Sequence, residues 1–222
     1  MCGRYSFKPT PQQRSEELPG SVPEFKSMNI APTQPAPVRT GAHEWALFEW
    51  GLVPFWSKDG KNQGKLINAR AESMDEKPSF REAFKRRRCL VPADSFYEWR
   101  TLPNRKKVPY RIVRSDGRLL FFAGIWERWR NPDGSEKHTF SIVTTDANAD
   151  LEALHDRMPV ILVDPDSREQ WLHADDPELL AALLRPAPDG LLRYYRVTDQ
   201  LNAASFRGEN AHEPVPEDGG LF

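Results

Sequence analysis

Residues 110–126 read Tyr110-Arg111-Ile112-Val113-Arg114-Ser115-Asp116-Gly117-Arg118-Leu119-Leu120-Phe121-Phe122-Ala123-Gly124-Ile125-Trp126. The first five residues alternate polar and apolar, the period of a strand with one wet face. Ser115-Asp116-Gly117 is turn chemistry, and the apolar run from Leu119 to Trp126 is strand again. Together they predict a β-hairpin, and hence antiparallel pairing. Asn131-Pro132-Asp133-Gly134 is a second such turn, leading to a strand over 138–145.

Outward from this stretch the same punctuation recurs. Trp45 to Trp50 reads as a buried strand stopped by Gly51 and Pro54, and extended pieces follow at 66–72, 89–92, 96–99, 160–163 and 191–197. Helices are expected at 12–18, from Asp75 or Pro78 through Phe80 and Phe84, over 148–154, after Asp164-Pro165 and after Pro177. There is no βαβ alternation, no internal repeat and no dividing linker. One α+β domain is predicted over residues 1–207, a mostly antiparallel, barrel-like sheet with peripheral helices. Residues 208–222 are acidic and rich in Gly and Pro, and are expected to form a mobile tail.

The chain has 222 residues, 39% of them hydrophobic and 28% charged, with seven Trp and twelve Phe. That composition fits a soluble globular domain, and no apolar run reaches the length of a membrane span. Cys2 and Cys89 provide neither a disulfide framework nor a metal site, and the five histidines are dispersed, so no metal or cofactor is expected. A free thiol and the lack of a signal pattern place the chain in the cytoplasm or nucleoid. Net charge is −1, yet residues 57–118 hold 17 Lys/Arg against 8 Asp/Glu, leaving 14 against 24 elsewhere. This segregation predicts one basic face on an acidic body.

Phosphate-loop, zinc-helix and serine-elbow signatures are missing. Cys2 is the unusual chemistry: with Met1 removed, it presents an α-amine beside a thiol, a pair that captures aldehydes first as an imine and then as a thiazolidine. Glu98 lies between Tyr97 and Trp99; burial there would raise its pKa, whereas strand alternation would turn it to solvent. Asn68 and Arg70 share a strand face. His155-Asp156-Arg157 pairs an acid/base group with a cation. Trp56 precedes a basic loop and suits either base stacking or core packing. Cys89 reads as a small core residue.

Seven motifs in order resemble the SOS-response-associated peptidase (SRAP) family: Met1-Cys2-Gly3-Arg4, Asn29-Ile30-Ala31-Pro32-Thr33, Trp50-Gly51-Leu52-Val53-Pro54, Ile67-Asn68-Ala69-Arg70-Ala71-Glu72, Cys89-Leu90-Val91-Pro92-Ala93-Asp94, Phe96-Tyr97-Glu98-Trp99 and His155-Asp156-Arg157-Met158-Pro159. Ser95 departs from the usual Gly. The resemblance implies a monomeric protein that binds single-stranded DNA at abasic sites and forms a thiazolidine crosslink through Cys2, with weak lyase activity and self-removal of Met1. It assigns Asn68, Glu98 and His155 to the reaction, and Arg4, Trp56, Arg70 and Arg157 to DNA. Two rivals stand beside it: a Cys2 thiol peptidase using His155 as base, and a non-catalytic single-strand binding module.

Overall fold

The computed structural model describes residues 2–42, 44–61 and 65–216. Met1, residues 62–64 of the basic loop and residues 217–222 of the expected tail lie outside them. In chain order the strands are β1 Tyr5–Phe7, β2 Ser27–Ile30, β3 Pro35–Thr40, β4 Trp45–Trp50, β5 Asn68–Arg70, β6 Arg88–Ala93, β7 Ser95–Thr101, β8 Lys107–Arg114, β9 Leu120–Arg130, β10 Glu136–Asp146, β11 Arg157–Pro159 and β12 Leu192–Arg196. The helices are α1 Pro11–Glu17, α2 Arg81–Arg86, α3 Pro165–His173 and α4 Pro177–Leu183. Thr10 and Asp164 close capping boxes ahead of α1 and α3, each with Pro in the first turn.

The strands form two sheets. The smaller is antiparallel in the order β12-β8-β7-β1-β2. The larger closes on itself: β9, β6, β3 and β4 pair in succession, and β10 joins β4 to β9, making a five-stranded ring. Beyond the ring, the far half of β10 carries β5 on one edge and β11 on the other, with Ile142 opposite Asn68 and Asp146 opposite Arg157. One strand thus brings residues 68 and 157 to the same end of the barrel.

The hairpin expected at Ser115-Asp116-Gly117 is a turn but not a hairpin. β8 already has β7 and β12 on its two edges, whereas β9 pairs with β6 and β10 in the other sheet. The Asp-Gly turn, with Gly117 at φ 74°, passes the chain from one sheet to the other. The turn at 131–134 does join a true hairpin, Glu136 facing Arg130. Residues 148–154 form turns, not the expected helix.

The sheets meet through aromatic rings. Tyr5 packs edge-on against Trp50 and Phe122, at 5.1 and 6.1 Å between centroids, and Phe96 meets Phe122 at 5.7 Å. Cys89 is fully buried, as expected of a core residue, and its small size has a reason: a Cβ on its strand partner Gly124 would stand 2.8 Å from the Cys89 sulfur. The outer face of the small sheet is covered by the C-terminal segment. Leu201 and Ala211 pack on Tyr97 and Val197. Residues 209–212 form a 3-10 helix, and Arg196 anchors the Val215 amide and the Pro216 carbonyl. The segment expected to be mobile from Gly208 onward is therefore docked as far as Pro216, because Ala211 packs into the core and Arg196 holds the backbone of Val215 and Pro216 within an acidic stretch.

Candidate active site

Cys2 is fully buried at the head of β1. β1 lies between β2 and β7, with Tyr5 opposite both Ile30 and Phe96, and the Tyr97 amide donates to the Arg4 carbonyl at 3.0 Å. The Glu98 carboxyl lies near enough to act electrostatically on the Cys2 thiol. From the barrel, Asn68 Nδ2 donates to the Cys2 carbonyl at 2.9 Å. Asn68 is held in turn by its neighbour: the Trp50 indole donates to the Ile67 carbonyl at 2.9 Å. The Asn68 Oδ1 is buried and has no hydrogen-bond partner among the described residues.

The electrostatics tie these groups together. Burial pushes the Cys2 thiol far above its ordinary range, and the Glu98 charge pushes the same way. Glu98 is 4% exposed, which settles the choice between burial and solvent left open by strand alternation. Burial raises its carboxyl to about 7, with the Asp156 charge adding to the rise. His155 is pulled below its ordinary value, first by burial, against the pull of Asp156. The Arg157 amide donates to His155 Nδ1 at 2.9 Å, which in the neutral ring puts the proton on Nε2. Asp156 Oδ1 stands 2.7 Å from the same nitrogen and suits the protonated ring instead. The imidazole therefore has a partner in either state, as a proton shuttle requires.

The four residues assigned to DNA divide. Arg70 is exposed on β5 beside Asn68, and Trp56 is 55% exposed, so the base-stacking role remains open and the core-packing one does not. Trp56 lines a cleft of about 260 Å³ with Lys61, Lys65 and Leu66, immediately ahead of β5. Arg4 is half-buried; it donates to Asn29 Oδ1 at 2.7 Å and to the Leu201 carbonyl at 3.1 Å, and lies over the Trp99 ring. Arg157 departs from the expectation. Its guanidinium is 11% exposed, forks onto Glu72 at 2.7 and 2.9 Å, and also holds Asp146 and the Thr144 carbonyl. These bonds use the donors a phosphate would take, so Arg157 braces the end of the barrel.

Sequence reasoning gave no site role to two residues that the structure puts to use. Asp156 acts on both Glu98 and His155, and Glu72 holds Arg157. The available signal was adjacency, since each neighbours a residue already singled out or shares its motif. Among the described residues no helix is long and apolar enough to cross a membrane, and no group of His, Cys, Asp and Glu is placed to hold a metal ion.

Comparison with known proteins agrees with the motifs. The family model for SOS response associated peptidase (SRAP) matches residues 1–204. The abasic site processing protein YoqW of Bacillus subtilis is 39% identical over 213 residues, covering 91% of this chain and 95% of YoqW. The abasic site processing protein HMCES of Xenopus tropicalis is 31% identical over 179 residues, covering 71% of this chain and 53% of the relative. A crystal structure of a Bacteroides thetaiotaomicron protein superposes with a TM-score of 0.82 at 30% identity, covering 90% of this chain and 93% of the other. The chain belongs to the SRAP family.

Proposed function

We propose that this chain processes abasic sites in single-stranded DNA by forming a covalent crosslink through Cys2. The observation that carries the reading is the meeting, at one end of the barrel, of a buried Cys2, the Asn68 amide on its carbonyl and a Glu98 carboxyl that titrates near neutrality. The ring-opened abasic sugar is an aldehyde. With Met1 gone, the Cys2 amine adds to it and water leaves as the imine forms. The thiol then adds across the C=N bond, its proton passing to nitrogen, and a thiazolidine results. A thiol held protonated by burial needs a base for that last step. Glu98, its carboxyl raised by burial to about 7, suits both the protonation of the departing water and the uptake of the thiol proton. His155, neutral with Nε2–H, suits proton donation to the opening sugar. Arg70 and Trp56 flank this end and suit a phosphate and a base of the strand. The protein acts as a monomer in the cytoplasm or nucleoid.

The raised thiol pKa also weighs against a cysteine peptidase, whose nucleophile is a thiolate stabilised by a cationic imidazole. The test is a denaturing gel of protein mixed with single-stranded DNA carrying one abasic site. A shifted band is expected, lost in Cys2→Ala and in protein with a residue retained ahead of Cys2. No band from wild type near neutral pH, or a band unaffected by a blocked amine, refutes the proposal.

A further inference from the structure

We propose that a cavity on the outer face of the small sheet binds a phosphate-bearing ligand. Side chains alternate across a sheet, so Glu98 faces the barrel while Ser95, Tyr97 and their cross-strand neighbours Ser6, Arg111 and Tyr195 face outward. Beside the docked C-terminal segment this outer face leaves a cavity of about 340 Å³, the size of a small-molecule cleft.

Its lining contains five cations, Lys8, Arg111, Arg114, Arg118 and Arg193, and one carboxylate, Asp94. Three of the cations are paired: Arg111 with Asp94, Arg114 with Asp116 and Arg118 with Glu17. Lys8 and Arg193 are exposed and have no ion-pair partner among the described residues. A concave site whose lining carries an excess of cations focuses a positive field on the cleft, and an anion bound there relieves the repulsion. Phosphate fits this better than a carboxylate does, because it offers several oxygens to cations arriving from different elements: Lys8 beyond β1, Arg118 ahead of β9 and Arg193 on β12.

The residue types of a hydrolytic triad are also present, but their geometry is wrong for one. Ser6 and Ser95 are fully buried, and both hydroxyls bond directly to Asp94 Oδ2. His212 stands 3.9 Å from that oxygen and does not lie between carboxylate and hydroxyl. The cluster braces the floor of a binding site.

The ligand is either a free phosphate compound or a backbone phosphate of nucleic acid, and titration calorimetry separates them. Inorganic pyrophosphate and an undamaged single-stranded ten-mer are each titrated into wild type, Lys8→Gln/Arg193→Gln and Arg70→Gln. Pyrophosphate is expected to bind wild type and Arg70→Gln alike, and to lose at least about tenfold in affinity for the double variant. If the ten-mer also weakens in the double variant, the natural ligand is a nucleic-acid backbone; if it does not, the ligand is a free phosphate compound. Absence of pyrophosphate binding, or equal binding to the double variant with an unchanged melting temperature, overturns the proposal. These outcomes do not depend on crosslinking by Cys2.

Discussion

Asp94 and Glu98 are four residues apart along one run of chain, yet the two faces of the small sheet treat them oppositely. On the outer face Asp94 is surrounded by donors: the Lys8 amide at 2.5 Å, the Ser6 hydroxyl at 2.9 Å and the Arg111 guanidinium at 2.8 Å. On the barrel side Glu98 is buried with its carboxyl lifted to about 7. Stability and reactivity are thus separated by the thickness of one sheet. A buried carboxylate with a full set of donors holds strands together, whereas one whose burial outweighs its partners holds a proton at working pH.

The largest expected effect is on the outer face. Asp94→Ala removes the carboxylate that neutralises the largely buried Arg111 guanidinium, and should cost about 3–5 kcal/mol in chemical denaturation. A loss under 1 kcal/mol would mean that the network is not a brace. Glu98→Gln should act in the other direction on stability. Its folded pKa lies above its unfolded one, so the unfolded chain ionises first as pH rises, and wild type loses stability between about pH 4.5 and 7. The variant lacks that loss, gaining on the order of 3 kcal/mol at pH 8 and nothing at pH 4, while crosslinking slows about 10²-fold. A stability difference that does not change with pH would remove Glu98 from the proton-relay role.

Smaller effects sharpen the contrast at the barrel end. Arg157→Ala should lose about 2 kcal/mol of stability through its forked bonds to Glu72. Trp56→Ala, at an exposed position, should leave the melting temperature unchanged and weaken single-strand binding by about 1–2 kcal/mol. Arg70→Gln should change stability by less than about 0.5 kcal/mol and lower the salt slope of DNA binding by about one. If Arg157 and Arg70 exchanged these phenotypes, their assignments would be reversed.

Much of this was legible in the chain itself. Turn chemistry and alternation located most strands, and Pro after Asp marked the starts of α3 and α4. Glu98 between two aromatics stood out as a candidate acid, with burial and exposure both left open by the sequence, and Asn68 as a residue facing the same way as Arg70. What local pattern does not encode is which edge is free. The Asp116-Gly117 turn specifies a reversal, but both edges of β8 are taken, one by β7 just before it and the other by β12, a strand distant from the turn in sequence. The fate of Arg157 depended on Glu72 and Asp146, one of them 85 residues away. The docking of the C-terminal segment rested on one buried apolar side chain, Ala211, and on Arg196 bonding the backbone of Val215 and Pro216, in a stretch whose average composition is that of a tail.

The ring closed by β4 and β10 has a consequence in time. Synthesis delivers Cys2 first, but Asn68 is set in place only when β10 pairs with β5, and His155 only when β11 has followed. At about 5–20 residues per second, His155 is made roughly 10–30 s after Cys2. Pairings of such long sequence separation also form late in folding. Throughout that interval the nascent amino terminus lacks the imidazole, so under the proposed function the full set of groups around Cys2 is assembled only once the barrel is closed. Under the proposed function, folding itself is the switch that arms the protein.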